Sequence, residues 1–317
     1  MDRIDRRQFL NRSRQASFGL AAGFAGAQVV RASQRLERAK KPKIGAFTKS
    51  FQDRSIPEVC RLFHEIGLDG LDLTVRPGGH IEPANVTVEL PLAVKAARDN
   101  DLEILFLTTA ITDDDEAAKR VLATAAEQGI DRVKMGYYRY EQFGTLAKKI
   151  KMIRSRIAKV ARLADRYDVL PCVHIHSGRT IPSHGTQLYE IIRDFSPQEV
   201  GAYVDPLHMT LEGGGDGWRQ GLDLLAPWIA LVAVKNFAWH SGERDDKGQL
   251  RWHTKKVPIA DGVCPLPAFI ATLKQIGYAG TYSLHSEYKG AHSFQNLDTD
   301  GCLRQTALDL KYLRTLL

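Results

Sequence analysis

The sequence predicts a single (β/α)8 barrel, and three observations carry that reading. From Lys41 onward, short apolar or β-branched runs alternate about eight times with longer stretches whose apolar residues recur at helical spacing. The stretch from 41 to 317 has about the length that such a barrel takes, roughly 250 residues. No Gly-x-Gly-x-x-Gly follows the first strand, as an open dinucleotide-binding sheet would show, and Gly213-Gly214-Gly215 is neither that motif nor a phosphate loop.

Taken in order, the strand candidates are KIGAFT (43–48), GLDLTV (70–75), EILFLT (103–108), RVKMGY (132–137), LPCVHIH (170–176), VGAYVD (200–205), IALVAVKN (229–236) and TYSLHSE (281–287). Between them lie helical patterns. SIPEVCRLFHEIG ends in Gly67, which suits a C-cap. LPLAVKAARDN follows, then DDDEAAKRVLATAAEQG, whose acidic start at 113–116 meets the positive end of a helix dipole. The long LAKKIKMIRSRIAKVARLADRYD precedes the fifth strand, LPAFIATLKQIG the eighth, and CLRQTALDLKYLRTLL closes the chain. No low-complexity insert and no second domain interrupts residues 41–317.

Residues 1–40 read differently. A charged start, MDRIDRRQFLNRSRQ, leads into the apolar SFGLAAGFAGAQVV and then a second basic stretch. That order is the pattern of an export signal, and Ser17–Val30 is too short to span a bilayer. Arg6-Arg7-Gln8-Phe9-Leu10 resembles the twin-arginine signal, with cleavage expected after Ala25-Gly26-Ala27. An ordinary basic tail is the competing reading. The expectation is a leader and short linker at 1–40, the twin-arginine export machinery as partner, and a periplasmic or otherwise exported barrel. No cysteine follows the apolar stretch, so nothing points to a lipid anchor.

The leader also accounts for the charge. Residues 1–40 hold nine Lys/Arg and three Asp/Glu, while the whole chain carries +7, which leaves +1 for the remainder. That remainder lacks the basic excess of a nucleic-acid binder, and no nucleic-acid partner is expected. Cys60, Cys172, Cys264 and Cys302 have no Cys-x-x-Cys spacing, which argues against a zinc ribbon.

In a barrel, chemistry sits where strands end, and the polar residues of this chain fall there. The second strand ends in Thr74-Val75-Arg76-Pro77-Gly78-Gly79-His80, the fifth in His174 and His176, the sixth in Asp205 with His208 close behind, the seventh in Lys235-Asn236, and the eighth in His285 and Glu287. His174/His176, Ala233/Lys235 and His285/Glu287 are spaced by two, so each pair shares one face of its strand. If that face is the barrel interior, they converge on one mouth. His, Asp and Glu together favour a first-row divalent ion, Zn, Mn, Co or Fe. Arg76 and Lys235 are suited to holding substrate oxygens, and Lys235 could alternatively form a Schiff base if its pKa is depressed. Tyr137, Tyr138, Trp239 and Trp252 offer rings for stacking on a sugar, although plain packing is the stronger reading for them. His174 and His176 could also be core histidines, Asp205 and His208 a pair that orients a loop, and Arg76 with His80 no more than a turn closure.

GLDGLDLTVRPGGHIEP, VDPLHM, LVAVKN and VPIADGVCPLPAFIATLKQIGYAGTYSLHSEY together resemble the xylose-isomerase-like TIM barrels, the sugar phosphate isomerase/epimerase group, over about 43–317. The resemblance implies a metal-assisted sugar enzyme in which an ion chelates a carbonyl and its neighbouring hydroxyl while a base removes the α-proton. Asp205-Pro206-Leu207-His208 matches the family's Asp-x-x-His after the sixth strand. His174 stands where the family has a ligand Glu, Ala233 where it has a ligand His, and His285 where it has the second ligand Glu. The implied site is therefore an altered one. The metal would be held by His174, Asp205 and His285, completed by His208, His176 or Glu287. Glu287 would be the base and His176 or His208 its proton partner, with Arg76, His80, His208 and Lys235 binding substrate. A keto-sugar lyase or hydrolase would share the first step. The lost ligands also allow a non-catalytic sugar-binding relative, and an abasic-site endonuclease shares the barrel but fits the neutral body poorly.

Overall fold

The computed structural model describes residues 41–317, and the body Pro42–Leu317 is one compact unit. The twin-arginine-like leader lies outside the described residues. Eight parallel strands close a barrel: β1 (Ile44–Phe47), β2 (Gly70–Val75), β3 (Glu103–Thr109), β4 (Arg132–Lys134), β6 (Leu170–His174), β8 (Gly201–Val204), β9 (Ile229–Val234) and β12 (Thr281–Leu284), with β12 returning to pair with β1. The closing register sets Ile44 against Tyr282 and Ala46 against Leu284. The barrel predicted from the sequence is the barrel observed. Two antiparallel pairs stand apart from it, the short β5 (Tyr138–Arg139) with β7 (Thr180–Ile181), and the longer β10 (Asn236–Arg244) with β11 (Leu250–Val257). The second pair is a hairpin that the strand patterns do not announce. Exposed Trp239 and Trp252 stand on it.

The helices start where the sequence supplies caps. α1 (Ile56–Glu65) begins at Ser55, whose side chain accepts from the Glu58 amide, and α3 (Glu116–Glu127), after α2 (Val86–Arg98), begins at Asp115, which accepts from the Ala118 amide at 2.8 Å. α4 (Leu146–Asp165), α5 (Gly185–Ile192), α6 (Pro206–Leu225), α7 (Leu266–Gln275) and α8 (Thr299–Leu316) complete the outer ring. Two glycines let the first strands approach closely: a Cβ on Gly45 would lie 2.8 Å from the Gly70 carbonyl oxygen, and one on Gly70 only 2.2 Å from that of Glu103. Inside the barrel, Leu105, Phe106, Cys172, Tyr203, Leu231 and Ala233 pack as a separate buried cluster. All four cysteines are free and buried.

Several strands stop short of the runs that suggest them. β4 ends at Lys134, β6 at His174, β9 at Val234 and β12 at Leu284, so His176, Lys235, His285 and Glu287 lie just beyond their strands. The rim explains this. His176 exchanges a barrel partner for the Pro182 carbonyl (3.1 Å), and the Glu287 amide turns back onto the His285 carbonyl (2.8 Å). Strict alternation of faces ends where the ladder ends, and the loops aim these side chains.

Candidate active site

A cavity of about 80 Å³ opens at the C-terminal mouth, where the strand ends converge. Arg76, His174, His176, Lys235, His285 and Glu287 line it, joined by Phe47, Lys49, Thr108, Lys134, Tyr137 and Tyr203. Six residues singled out by strand-end position therefore meet in one place. The cavity is smaller than the roughly 300 Å³ at which typical ligand pockets begin. It suits the reacting end of a small polar molecule.

Asp205 organises the centre. It is the N-cap of α6. Its Oδ1 accepts from the amides of Leu207 (2.9 Å) and His208 (3.3 Å), which leaves Oδ2 to face the cavity wall. Around Oδ2 stand Lys235 Nζ at 3.1 Å, His174 Nε2 at 3.3 Å and His208 Nε2 at 3.6 Å. Burial opposes the charge of Asp205, but His208, Lys235 and His174 outweigh it and hold the carboxyl well below the usual range. Lys235 continues to Glu287, 3.6 Å away, and Glu287 accepts from Lys49 at 2.6 Å. Burial works against the Lys235 ammonium, yet Asp205 and Glu287 together raise its pKa above lysine's ordinary value. Lys235 thus stays charged and is a poor amine nucleophile, which disfavours the Schiff-base role considered for it. Glu287 is likewise held ionised against burial by Lys235, Lys256 and Lys49.

The histidines divide by partner. His174 lies between Tyr137, whose hydroxyl is 2.9 Å from Nδ1, and Asp205, and it stacks on Tyr203. Because a carboxylate only accepts, Nε2–H donates to Asp205 and Nδ1 accepts from Tyr137. Burial holds this imidazole neutral. His176 Nδ1–H donates to the Ser177 carbonyl at 3.1 Å, so its Nε2 carries the lone pair. Burial and then Lys235 lower its pKa to about 4. His208 lies behind it, ring centroids 4.0 Å apart, with Nδ1 2.8 Å from the Ser177 hydroxyl and Nε2 buried without a hydrogen bond.

Two expectations shift. His80 closes the turn after β2: its ring lies 3.1 Å from the Phe51 carbonyl and 3.3 Å from Thr74 Oγ1, outside the residues that line the cavity. His208 is also behind the cavity wall rather than on it. The structure adds residues that strand-end inspection missed. Asp72, fully buried below the cavity, accepts from Thr108 (2.5 Å), Ser283 (2.8 Å) and Tyr203 (3.4 Å), and the Tyr203 hydroxyl meets His285 Nε2 at 2.9 Å. Lys134 is a second buried lysine. Asp72 was visible as a lone charge inside the otherwise apolar GLDLTV, whereas Lys134 shares RVKMGY with Arg132.

The metal set implied by the resemblance does not fit this arrangement. The Asp205 oxygen that would face an ion already faces the Lys235 ammonium. His174 spends Nε2–H on Asp205 and its remaining lone pair on Tyr137, and His285 Nε2 meets Tyr203. Among the described residues, no group of three or more His, Cys, Asp or Glu is placed to hold a metal ion.

The model of the family described as "Xylose isomerase-like TIM barrel" matches residues 21–307 of the sequence. The chain belongs to that family. Solved structures extend the likeness at low identity. The apo form of 3-keto-D-glucoside 4-epimerase from E. coli is 16% identical, with a TM-score of 0.64 over 87% of this chain and 100% of its own. D-allulose 3-epimerase from Methylomonas sp., in complex with D-allulose, is 12% identical, with a TM-score of 0.66 over 88% of this chain and 98% of its own. A xylose isomerase-like TIM barrel protein from Mycobacterium smegmatis, in complex with magnesium, is 14% identical, with a TM-score of 0.62 over 88% and 99%. These likenesses establish the shared barrel. No curated protein matches the sequence.

Proposed function

We propose that this member of the family is a sugar isomerase/epimerase-like enzyme that removes a proton beside the carbonyl of a keto- or aldo-sugar and returns it elsewhere or on the opposite face. One observation carries the reading: an ionised carboxylate, Glu287, and a neutral imidazole with a free lone pair, His176, line the same cavity as the cations Arg76, Lys49 and Lys235. The two are groups of the kind that take and return a proton. The cations offer stabilisation for the negative oxygen that develops when a C–H beside a carbonyl ionises. The 3-epimerase and 4-epimerase activities named for similar barrels support the same class. A divalent ion, Zn, Mn, Co or Fe, would add Lewis-acid polarisation of the carbonyl, but the observed donor set requires Lys235 to leave Asp205 first. Residues 6–10 support export of the folded barrel by the twin-arginine route to the periplasm.

Solvent deuterium exchange tests the reading. The enzyme, incubated with keto- and aldo-sugars in heavy water, should wash deuterium into the carbon next to the carbonyl. Glu287→Gln should abolish the exchange and still bind the sugar. Full exchange in Glu287→Gln would remove Glu287 from the role of base, and no exchange with any sugar that binds would reject the reaction class.

A further inference from the structure

Lys134 is the last residue of β4, and its side chain is almost wholly enclosed (1% exposed) while lining the same cavity as His176, Lys235 and Glu287. Its environment is the opposite of that of Lys235. Among the described residues, Lys235 has two carboxylate partners, whereas Lys134 makes no ion pair and no side-chain hydrogen bond. Its Nζ rests over the face of Tyr137, 3.5 Å from the ring centroid. A buried ammonium without a paired carboxylate carries a desolvation penalty, which favours release of its proton. Burial first, then the positive charge of Arg76, push its pKa well below lysine's ordinary value; Asp72 pulls the other way and Lys235 adds a smaller push down. An enclosed lysine that faces the cavity and holds its proton weakly is placed to supply the free amine, the form in which lysine attacks carbonyl carbon. The backbone holds it in place: the Lys134 carbonyl accepts from Thr109 Oγ1 at 2.8 Å, and the Tyr137 hydroxyl is anchored 2.9 Å from His174 Nδ1.

We propose that Lys134 is a catalytic residue that forms a Schiff base with the carbonyl carbon of the sugar, a covalent device that deepens, and rests on, the isomerase/epimerase reading. The Nζ lone pair adds to the carbonyl carbon, forming the N–C bond and breaking the C–O π bond. The resulting carbinolamine hydroxyl takes a proton from an acid in the cavity and leaves as water, giving a cationic iminium. The iminium withdraws electrons from the neighbouring C–H bond. Its proton passes to Glu287 or His176 and its electron pair forms the enamine. Reprotonation of carbon restores the iminium, and one water releases the sugar and the free amine. No oxidant or reductant is consumed. The Tyr137 ring, already placed over Nζ, offers its π face to the positive nitrogen of the iminium.

Reductive trapping decides the matter. The full chain is incubated with D-fructose or dihydroxyacetone and sodium cyanoborohydride, followed by intact-mass and peptide mass analysis, while deuterium exchange into each sugar is measured on the untrapped enzyme. The expected result is one adduct per chain, heavier by one sugar less one oxygen atom, located at Lys134. It should be lost in Lys134→Met and retained at Lys134 in Lys235→Met, with circular dichroism confirming that both variants are folded. Exchange without an adduct at Lys134, or an adduct confined to Lys235 or to surface lysines, overturns the covalent role and leaves the isomerase/epimerase reading in place. An adduct at Lys134 without exchange supports the covalent role and rejects the proton-transfer reading. Neither adduct nor exchange with sugars that bind overturns both.

Discussion

Asp205→Asn is the most informative single change, because it removes the central charge and puts an amide donor where Oδ2 accepts from His174 and Lys235. The amide keeps an oxygen for the helix cap that Oδ1 now makes to the Leu207 and His208 amides. It removes the negative partner 3.1 Å from Lys235. At that separation and an effective dielectric near 20, the Coulomb attraction lost is roughly 5 kcal/mol. Lys235 can answer by releasing its proton, and Glu287 remains at 3.6 Å, so the net loss should fall within the ~3–5 kcal/mol typical of breaking a buried pair from one side. For a domain of this size that lowers Tm by roughly 10 °C. The sign with pH follows. In the variant the folded-state pKa of Lys235 falls below its unfolded value near ~10.4, so the unfolded chain binds more protons between the two values and stability rises with pH across that window. In the parent the pKa is raised, and its contribution is full below the unfolded value and lost as pH climbs above it. The gap between the two proteins should therefore narrow from pH 7 toward pH 10. Adding Lys235→Met to Asp205→Asn removes the stranded charge and should recover part of the loss. Differential scanning calorimetry of the parent, the single variants and the double variant measures all of this. A single variant within about 1 kcal/mol of the parent, or a double variant no more stable than Asp205→Asn, would refute the assignment of Asp205 as the counter-charge that keeps Lys235 protonated.

Tyr203→Phe should cost about 1–2 kcal/mol by denaturant unfolding, since Asp72 loses one of its three side-chain donors and His285 its hydroxyl partner; an unchanged midpoint would mean that the hydroxyl orders neither. Acid should act through His176, whose pKa is lowered to about 4. The stability from its neutral form is complete above the unfolded value near ~6.5 and is lost as pH falls toward about 4, at most roughly 3 kcal/mol, so His176→Gln should flatten the stability profile between those limits. A profile unchanged by that substitution would remove His176 from the acid response.

The barrel was legible in the sequence because its signals are local. Apolar runs, helical periodicity, the acidic run at 113–116 and Gly67 after the first helix are each decided within a few residues. Strand-end position also located Arg76, His174, His176, Lys235, His285 and Glu287, since a closed parallel barrel carries every strand end to one mouth. Which of them carry charge was decided only by tertiary structure, because a pKa depends on burial and on partners brought from other strands. The sequence presents Lys134 and Lys235 as two lysines within strand runs, RVKMGY and IALVAVKN. In the folded chain Asp205 and Glu287 keep one an ammonium, while burial without a carboxylate partner, among the described residues, drives the other toward a free amine. The same dependence on distant partners separates the expected ligand set from the observed one: the composition of His174, Asp205 and His285 suits a metal, but Tyr137, Lys235 and Tyr203 occupy the atoms that an ion would need.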